Sequence, residues 1–422
     1  MTLFRALIDY ACLALLVGSS ATLVAQETFL LKDGDRVVFY GDSITEQRLY
    51  TMYIETAVHA RYPNWHIRFI NSGVGGDRVS GGQAGPIDAR IDRDVIAQSP
   101  TVITIMLGMN DRSTPETRAA YQPGYEHILQ RLRASLPLAH IVLIGPSPYD
   151  EITRPARAGA AGNRYLVEFV PIVQALARKY QADFIDFNAP LVAALHRAST
   201  LNPAAALMAL PDHAHPEGGV HLLMAELILR AWHFPEIAAG VELAGDSGKV
   251  LRQQDAKVSD LSSDGKGHLR WTEEDGPDVV IFDPDDGNEA LYRLLSAEPH
   301  LGRRMLHVTG LPRGEYRLTV DGKALAASLN AESLVKGVDI SQESTPMHAQ
   351  GRAVYYACQE LELLQDVTLR MKSRAAEVPP AISTVEGQKF MEANLHLAEE
   401  RILKATTAPP QRHSFSLDPA AH

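Results

Sequence analysis

The sequence predicts an α/β fold: a three-layer α/β/α sandwich around a five-stranded parallel sheet of flavodoxin-like order, followed by a β-rich and helical C-terminal extension. Three observations predict it. Between Asp35 and Pro235, short runs rich in β-branched residues alternate with longer amphipathic stretches, the pattern of βαβ units. Beyond Pro235 that alternation stops, and Asp- and Gly-rich segments with period-two apolar runs take over. The length of 422 residues exceeds what one small core needs and leaves room for an accessory region.

In chain order, the first 25 residues carry Arg5, an apolar run over residues 11–17 and small residues ending in Ala25, the three-part layout of an export signal. The run is short for spanning about 30 Å of hydrocarbon, and Gly18, Ser19 and Ser20 interrupt it, so a stable membrane anchor is not expected. Cleavage near Ala25 and a secreted or periplasmic location are. Cys12 lies inside this segment, and its removal leaves Cys358 alone, with no intrachain disulfide.

Five strands are predicted over residues 36–40, 67–71, 101–107, 141–144 and 184–187. Helices are expected over 50–62, 87–98, 117–136, 165–180 and 217–232. These elements form one unit over residues 34–235. A β-rich region is expected over 245–325, with alternating runs at 305–308 and 316–320 and a hairpin turn at Asp321-Gly322. A helical extension follows over 330–405, with periodic patterns at 347–372 and 385–404. The polar, Pro-containing tail over 406–422 reads as disordered.

Composition narrows the function classes. With 45% hydrophobic and 22% charged residues the chain is ordinary for a globular protein. A formal net charge of −11, without any Lys/Arg run interleaved with aromatics, argues against a nucleic-acid partner, which would meet like charge.

The chemistry lies where open α/β sheets place ligand sites, at the C-terminal strand ends. The first strand leads into Gly41-Asp42-Ser43-Ile44-Thr45. A serine on such a turn is exposed, with its N–H at a helix N-terminus where negative charge is favoured. The same residues also read as a plain helix cap. The second strand leads into Asn71-Ser72-Gly73-Val74-Gly75-Gly76-Asp77, whose glycines can turn a backbone N–H toward a ligand. A phosphate cradle is the rival reading, but no Gly-x-x-x-x-Gly-Lys-Ser/Thr or clear Gly-x-Gly-x-x-Gly is present.

The third strand ends in Leu107-Gly108-Met109-Asn110-Asp111, where a carboxamide can donate to an oxyanion or simply form an Asx-turn. After the fifth comes Asp212-His213-Ala214-His215-Pro216-Glu217-Gly218. Asp212 can hold one ring nitrogen of His215 while the other faces Ser43. A metal reading of His213, His215 and His221 with Asp212 and Glu217 competes, but His213 and His215 point apart in an extended segment. It also leaves the serine unexplained.

Together, Gly41-Asp42-Ser43, Asn71-x-Gly-x-x-Gly76, Gly108-x-Asn110-Asp111 and Asp212-x-x-His215-Pro216 resemble, in order and spacing, the four blocks of SGNH (GDSL) hydrolases. The resemblance covers residues 34–235, about half the chain. It implies a catalytic domain there, with Ser43 as nucleophile and Asp212 and His215 completing a triad. It further implies an oxyanion hole of the Ser43 N–H, Gly76 and Asn110. Such a mechanism requires no metal or other cofactor. The substrate expected from similar secreted members is a small-acyl, preferably acetyl, ester on a carbohydrate. Lysophospholipase and thioesterase activities also occur in the family, and a non-catalytic glycan-binding protein on the same fold is the alternative from another class. The region beyond Pro235 reads as a cover on the sandwich, with a lining of the cleft or a carbohydrate contact through an exposed aromatic such as Trp271 as the alternatives.

Overall fold

The structure, a computed structural model, describes residues 28–156, 162–279, 287–326, 329–407 and 411–420. The expected export signal over residues 1–25 lies outside them. Five strands, β1 (Arg36–Gly41), β2 (Arg68–Gly73), β3 (Val102–Met106), β4 (His140–Ile144) and β5 (Asp183–Ile185), form one sheet. Their order is β2-β1-β3-β4-β5 and every neighbouring pair is parallel, the flavodoxin-like arrangement expected. The segments Val37-Val38-Phe39-Tyr40 and Val102-Ile103-Thr104-Ile105-Met106 are buried throughout because helices cover both faces, so these strands show no polar alternation.

Apart from the single turn Pro203–Ala206, the α-helices of this unit are α1 (Ser43–Glu46), α2 (Leu49–Arg61), α3 (Ile87–Asp94), α4 (Pro115–Ser135), α5 (Asn163–Lys179), α6 (Asn188–Leu201) and α7 (Gly218–Ala231). One layer contains α2 packed on α7; the other contains α3, α4 and α5 side by side. Helix α4 starts where Thr114 caps the backbone N–H of Thr117 and Pro115 fills the first position. Its buried Tyr121 and Tyr125 hydroxyls donate to the carbonyls of Leu107 (2.9 Å) and Ile105 (3.1 Å), tying the helix to the end of β3.

The C-terminal half contains β6 (Ile237–Ala244), β7 (Lys249–Gln254), β8 (Ala256–Ser263), β9 (Leu269–Asp275), α8 (Asn288–Leu295), β10 (Arg303–Thr309), β11 (Glu315–Val320), α9 (Pro346–Ser373), α10 (Val385–Thr406) and β12 (Gln411–Pro419). One antiparallel sheet runs β8-β9-β12-β11; a second places β10 parallel to β6, with β7 antiparallel beyond it. Their inward faces share a second core that includes Leu243, Leu269, Trp271, Val308, Leu318 and Phe415. The Asp321-Gly322 turn takes left-handed φ values of 48° and 79° and pairs Val320 with Lys323, the hairpin the sequence predicts.

Two expectations are corrected here. Most of the tail over 406–422 is not disordered: β12 sits between β9 and β11, burying His413, Phe415 and Leu417 on alternate positions. The partners of this strand lie far back in the chain, so the local sequence, read for composition alone, conceals it. Trp271 offers no surface contact. Its ring is buried against Phe415 at 5.2 Å between centroids, and its Nε1–H donates to Glu273 at 2.6 Å.

Helix α9 packs on α2 and β2, and Val354, Tyr355, Cys358 and Leu361 join the core of the sandwich. One side chain deals with the sheet edge. Gln365 accepts from the Asn71 N–H (3.4 Å) and donates to the Phe69 carbonyl (2.9 Å), so backbone groups of edge strand β2 are satisfied by a helix rather than left open. Among the described residues no helix is long and apolar enough to cross a membrane.

Candidate active site

Ser43 opens α1 directly after β1. The turn forms because the preceding Asp42 side chain accepts the Ile44 N–H at 3.0 Å. Asp42 is wholly buried, and that burial pushes its carboxyl up to about 7 against the opposing Ile44 bond. Helix α1 lies hard against the second strand end, since a Cβ at Gly73 would fall 2.2 Å from the Glu46 nitrogen. Only glycine fits there.

The segment after β5 brings an acceptor and an imidazole to this serine. His215 Nε2 lies 2.8 Å from Ser43 Oγ, and His215 Nδ1 lies 2.6 Å from Asp212 Oδ2. The other oxygen of Asp212 accepts the N–H groups of Ala214 (3.0 Å) and His215 (2.8 Å). Partial burial works to raise the Asp212 carboxyl, but the His215 ring and these two backbone donors outweigh it and hold the group at about 2. An ionised carboxylate only accepts, which assigns the proton to Nδ1 and leaves Nε2 free to accept from the Ser43 hydroxyl. The pair is open to solvent: the His215 side chain is 41% exposed and that of Asp212 50%.

The other two expected residues meet at the ends of β2 and β3. Gly76 takes φ 74°, in the left-handed region, with nothing near where a Cβ would point. Asn110 donates one amide hydrogen to the Asp77 carbonyl at 3.0 Å, which ties it to the residue after Gly76 and leaves its second N–H available. Behind this turn a buried guanidinium, Arg90, donates to Asp77 at 2.7 Å, to Asp94 at 2.6 Å and to the Ser72 carbonyl. Asp111 accepts the Val79 N–H at 3.1 Å, and burial pushes its carboxyl up to about 7.

The three histidines of the metal reading turn to different partners. His213 is buried, with Nδ1 2.6 Å from the Asp150 carbonyl, while the Asp150 N–H donates back to the His213 carbonyl at 2.8 Å. Its ring stacks on Tyr149 at 5.2 Å, and Arg112 lies over the Tyr149 ring at 4.2 Å. His221 stacks on Tyr50 and lies 3.2 Å from Gln47 Oε1; burial pushes it down to about 3, so it is neutral. Glu217 is exposed at the start of α7. Among the described residues no three His, Cys, Asp or Glu side chains converge as a metal would require.

Arg90, Tyr149, Asp150 and Gln47 escape the sequence reading. Arg90 and Asp94 stand four apart on a helix, which in a sequence reads as a solvated surface pair. Only the fold reveals that this face of α3 is turned inward onto Asp77. The Tyr149–His213 stack joins loops from two different strand ends and carries no local signal.

Known proteins bear on this geometry. Residues 39–221 match the GDSL-like Lipase/Acylhydrolase family. An acetylxylan esterase from Geobacillus stearothermophilus is 28% identical over 221 residues, 47% of this chain and 93% of its own. A crystal structure of that bacterium's acetylxylan esterase covers 49% of this chain and 97% of its own at 25% identity, with a TM-score of 0.40. A solved gut microbial diltiazem-metabolizing enzyme is similar over 94% of this chain and 100% of its own, with a TM-score of 0.79 at 21% identity. At that identity the likeness is one of fold, and it extends through the C-terminal half. The matched stretch, residues 39–221, holds Ser43, Gly76, Asn110, Asp212 and His215 and is part of a longer chain.

Proposed function

We propose that the protein is a serine esterase that removes small acyl groups, preferably acetyl, from carbohydrate esters. The observation that carries the reading is the relay from Ser43 Oγ to His215 Nε2 at 2.8 Å and from His215 Nδ1 to Asp212 at 2.6 Å. The choice of acetylated glycan draws on the acetylxylan esterase relative. In the first half-reaction His215 Nε2 takes the Ser43 proton as Oγ bonds to the ester carbonyl carbon. The oxyanion is held by the Ser43 N–H, the Gly76 N–H and the free N–H of Asn110, and each such donor is typically worth ~10²–10³ in rate. His215 then passes its proton to the leaving alcohol as the ester C–O bond breaks. In the second half-reaction His215 deprotonates a water that attacks the acyl-enzyme, and Ser43 recovers its proton as the carboxylic acid leaves. A half-exposed His215 and Asp212 suit a substrate whose bulk stays outside the protein.

In this reading residues 34–235 are the catalytic domain and residues 1–25 direct export, so the enzyme acts outside the cytoplasm. Hydrolysis of p-nitrophenyl acetate by wild type and Ser43→Ala tests the chemistry. The variant is expected to lose roughly 10⁴-fold or more in kcat, and equal rates would sink the nucleophile assignment. Acetate release from a panel of acetylated glycans, measured beside acyl-chain-length dependence, tests the substrate class. Preference for chains longer than about eight carbons points instead to a lysophospholipase or thioesterase, and binding of glycans without turnover to the non-catalytic alternative.

A further inference from the structure

The C-terminal half does more than cover the sandwich, as one stripe of α9 shows. Glu362, Asp366, Arg370 and Arg374 stand four residues apart along this helix and its C-cap, and so follow one slowly winding face about 18 Å long. The acidic pair takes hold of Arg48, which sits between α1 and α2 at a left-handed φ of 66°. Arg48 Nη1 lies 2.6 Å from Glu362 and its Nε 3.6 Å from Asp366. The basic pair takes hold of Glu46, the last residue of α1: Arg370 Nη2 lies 3.5 Å from Glu46 Oε1, and Arg374 donates to the same oxygen. Arg374 and Arg48 are each only 7% exposed at the side chain, so little water screens these contacts.

Glu46 also meets the Gly75–Gly76 turn. A Cβ at Gly75 would fall 2.8 Å from its Oε2, and the charge of Arg374 reaches Asp77, the residue whose carbonyl fixes Asn110. The polarity of the stripe is matched at both ends: carboxylates grip the cation just after the single turn that Ser43 opens, and guanidiniums the anion that ends it.

Resting on the esterase reading above, we propose that Glu362, Asp366, Arg370 and Arg374 are positioning residues for the reaction. They fix the single helical turn that carries Ser43 and the Gly75–Gly76 turn beside it. The residues that set the nucleophile are thereby supplied from more than 300 positions further along the chain.

Three full-length variants, Glu46→Gln, R370A/R374A and Arg374→Lys, test this on p-nitrophenyl acetate. Rates are normalised to sites titrated to completion with a serine-directed phosphonate. A misplacement near 1 Å can cost ~10² in rate, so kcat per titrated site is expected to fall about 10- to 100-fold in the first two, with KM within about twofold. Arg374→Lys, which keeps the charge but not the fork of donors, is expected to fall between them and wild type. A wild-type kcat per titrated site in Glu46→Gln overturns the proposal. That variant decides the matter if R370A/R374A fails to fold, because it preserves shape and removes only the charge that the stripe grips. The underlying reading is checked separately: a Ser43→Ala variant with wild-type activity sinks the esterase itself, whereas an inactive Ser43→Ala beside a fully active Glu46→Gln sinks only the positioning role.

Discussion

At the scale of single residues, His213 shows how the relay is held in shape. Its φ of 78° is a conformation that costs a non-glycine residue roughly 1–2 kcal/mol, and it is kept by the two backbone links to Asp150 and by the ring stack on Tyr149. This bend allows Asp212, one residue earlier, to reach the N–H groups of both Ala214 and His215. His213→Ala should therefore lose more thermal stability than His213→Gly, since both drop the ring but only alanine keeps the strain; equal melting temperatures would remove strain from the account. Tyr149→Phe retains the stack and should keep kcat near wild type, while Tyr149→Ala should lower it. Asp212 carries a clear pH sign. Its folded-state value of about 2 lies below the ordinary 3.8, so the bonds it accepts stabilise the fold above 3.8 and that stabilisation is lost as pH falls toward 2. Between pH 4 and 9 Asp212 stays ionised, and the acid limb of a kcat/KM profile should survive in Asp212→Asn with kcat lowered by about 10²- to 10⁴-fold.

At the scale of elements, β12 is the most consequential. Nine C-terminal residues fill the gap between β9 and β11, so a chain ending at residue 410 exposes two strand edges and one side of the second core. Such a truncation should lower the melting temperature and raise light scattering on heating, and an unchanged melt would mean that the accessory sheets do not depend on it. The alternation of Phe415 and Leu417 with polar neighbours is visible once a strand is suspected. What the local sequence lacks is any mark of β9 and β11, whose paired residues lie 136–148 and 95–103 positions earlier. The short loops of the sandwich behave oppositely: Gly41 through Thr45 and Gly108 through Asp111 read correctly as strand-end turns because adjacent residues form them.

At the scale of the molecule, stability should respond to pH through groups buried in the layer formed by α2 and α7. Burial pushes His59 down to about 4 and His221 down to about 3, so both are neutral in the fold. Their contribution is complete above the ordinary 6.5 and is lost as pH falls through 4 and 3, because the unfolded chain takes up the protons. Asp42 and Asp111, raised to about 7, act in the other direction: their contribution is complete below 3.8 and lost as pH rises through 7. Melting curves of His59→Gln/His221→Gln should consequently fall less between pH 7 and pH 5 than those of wild type; a parallel fall would mean that these rings do not set the slope. The sequence by itself determined the parallel sandwich, whose elements rest on periodicity, and its strand-end motifs named five candidate site residues through a family resemblance. Only the tertiary structure decided that Ser43 and His215 come within hydrogen-bond distance, that Arg90 and Tyr149 brace the loops, and that α9 reaches the Ser43 turn. The physical reason is separation: short-range patterns are written in neighbouring side chains, whereas the ion pair between Glu46 and Arg374 exists only after the chain has folded back across more than 300 residues.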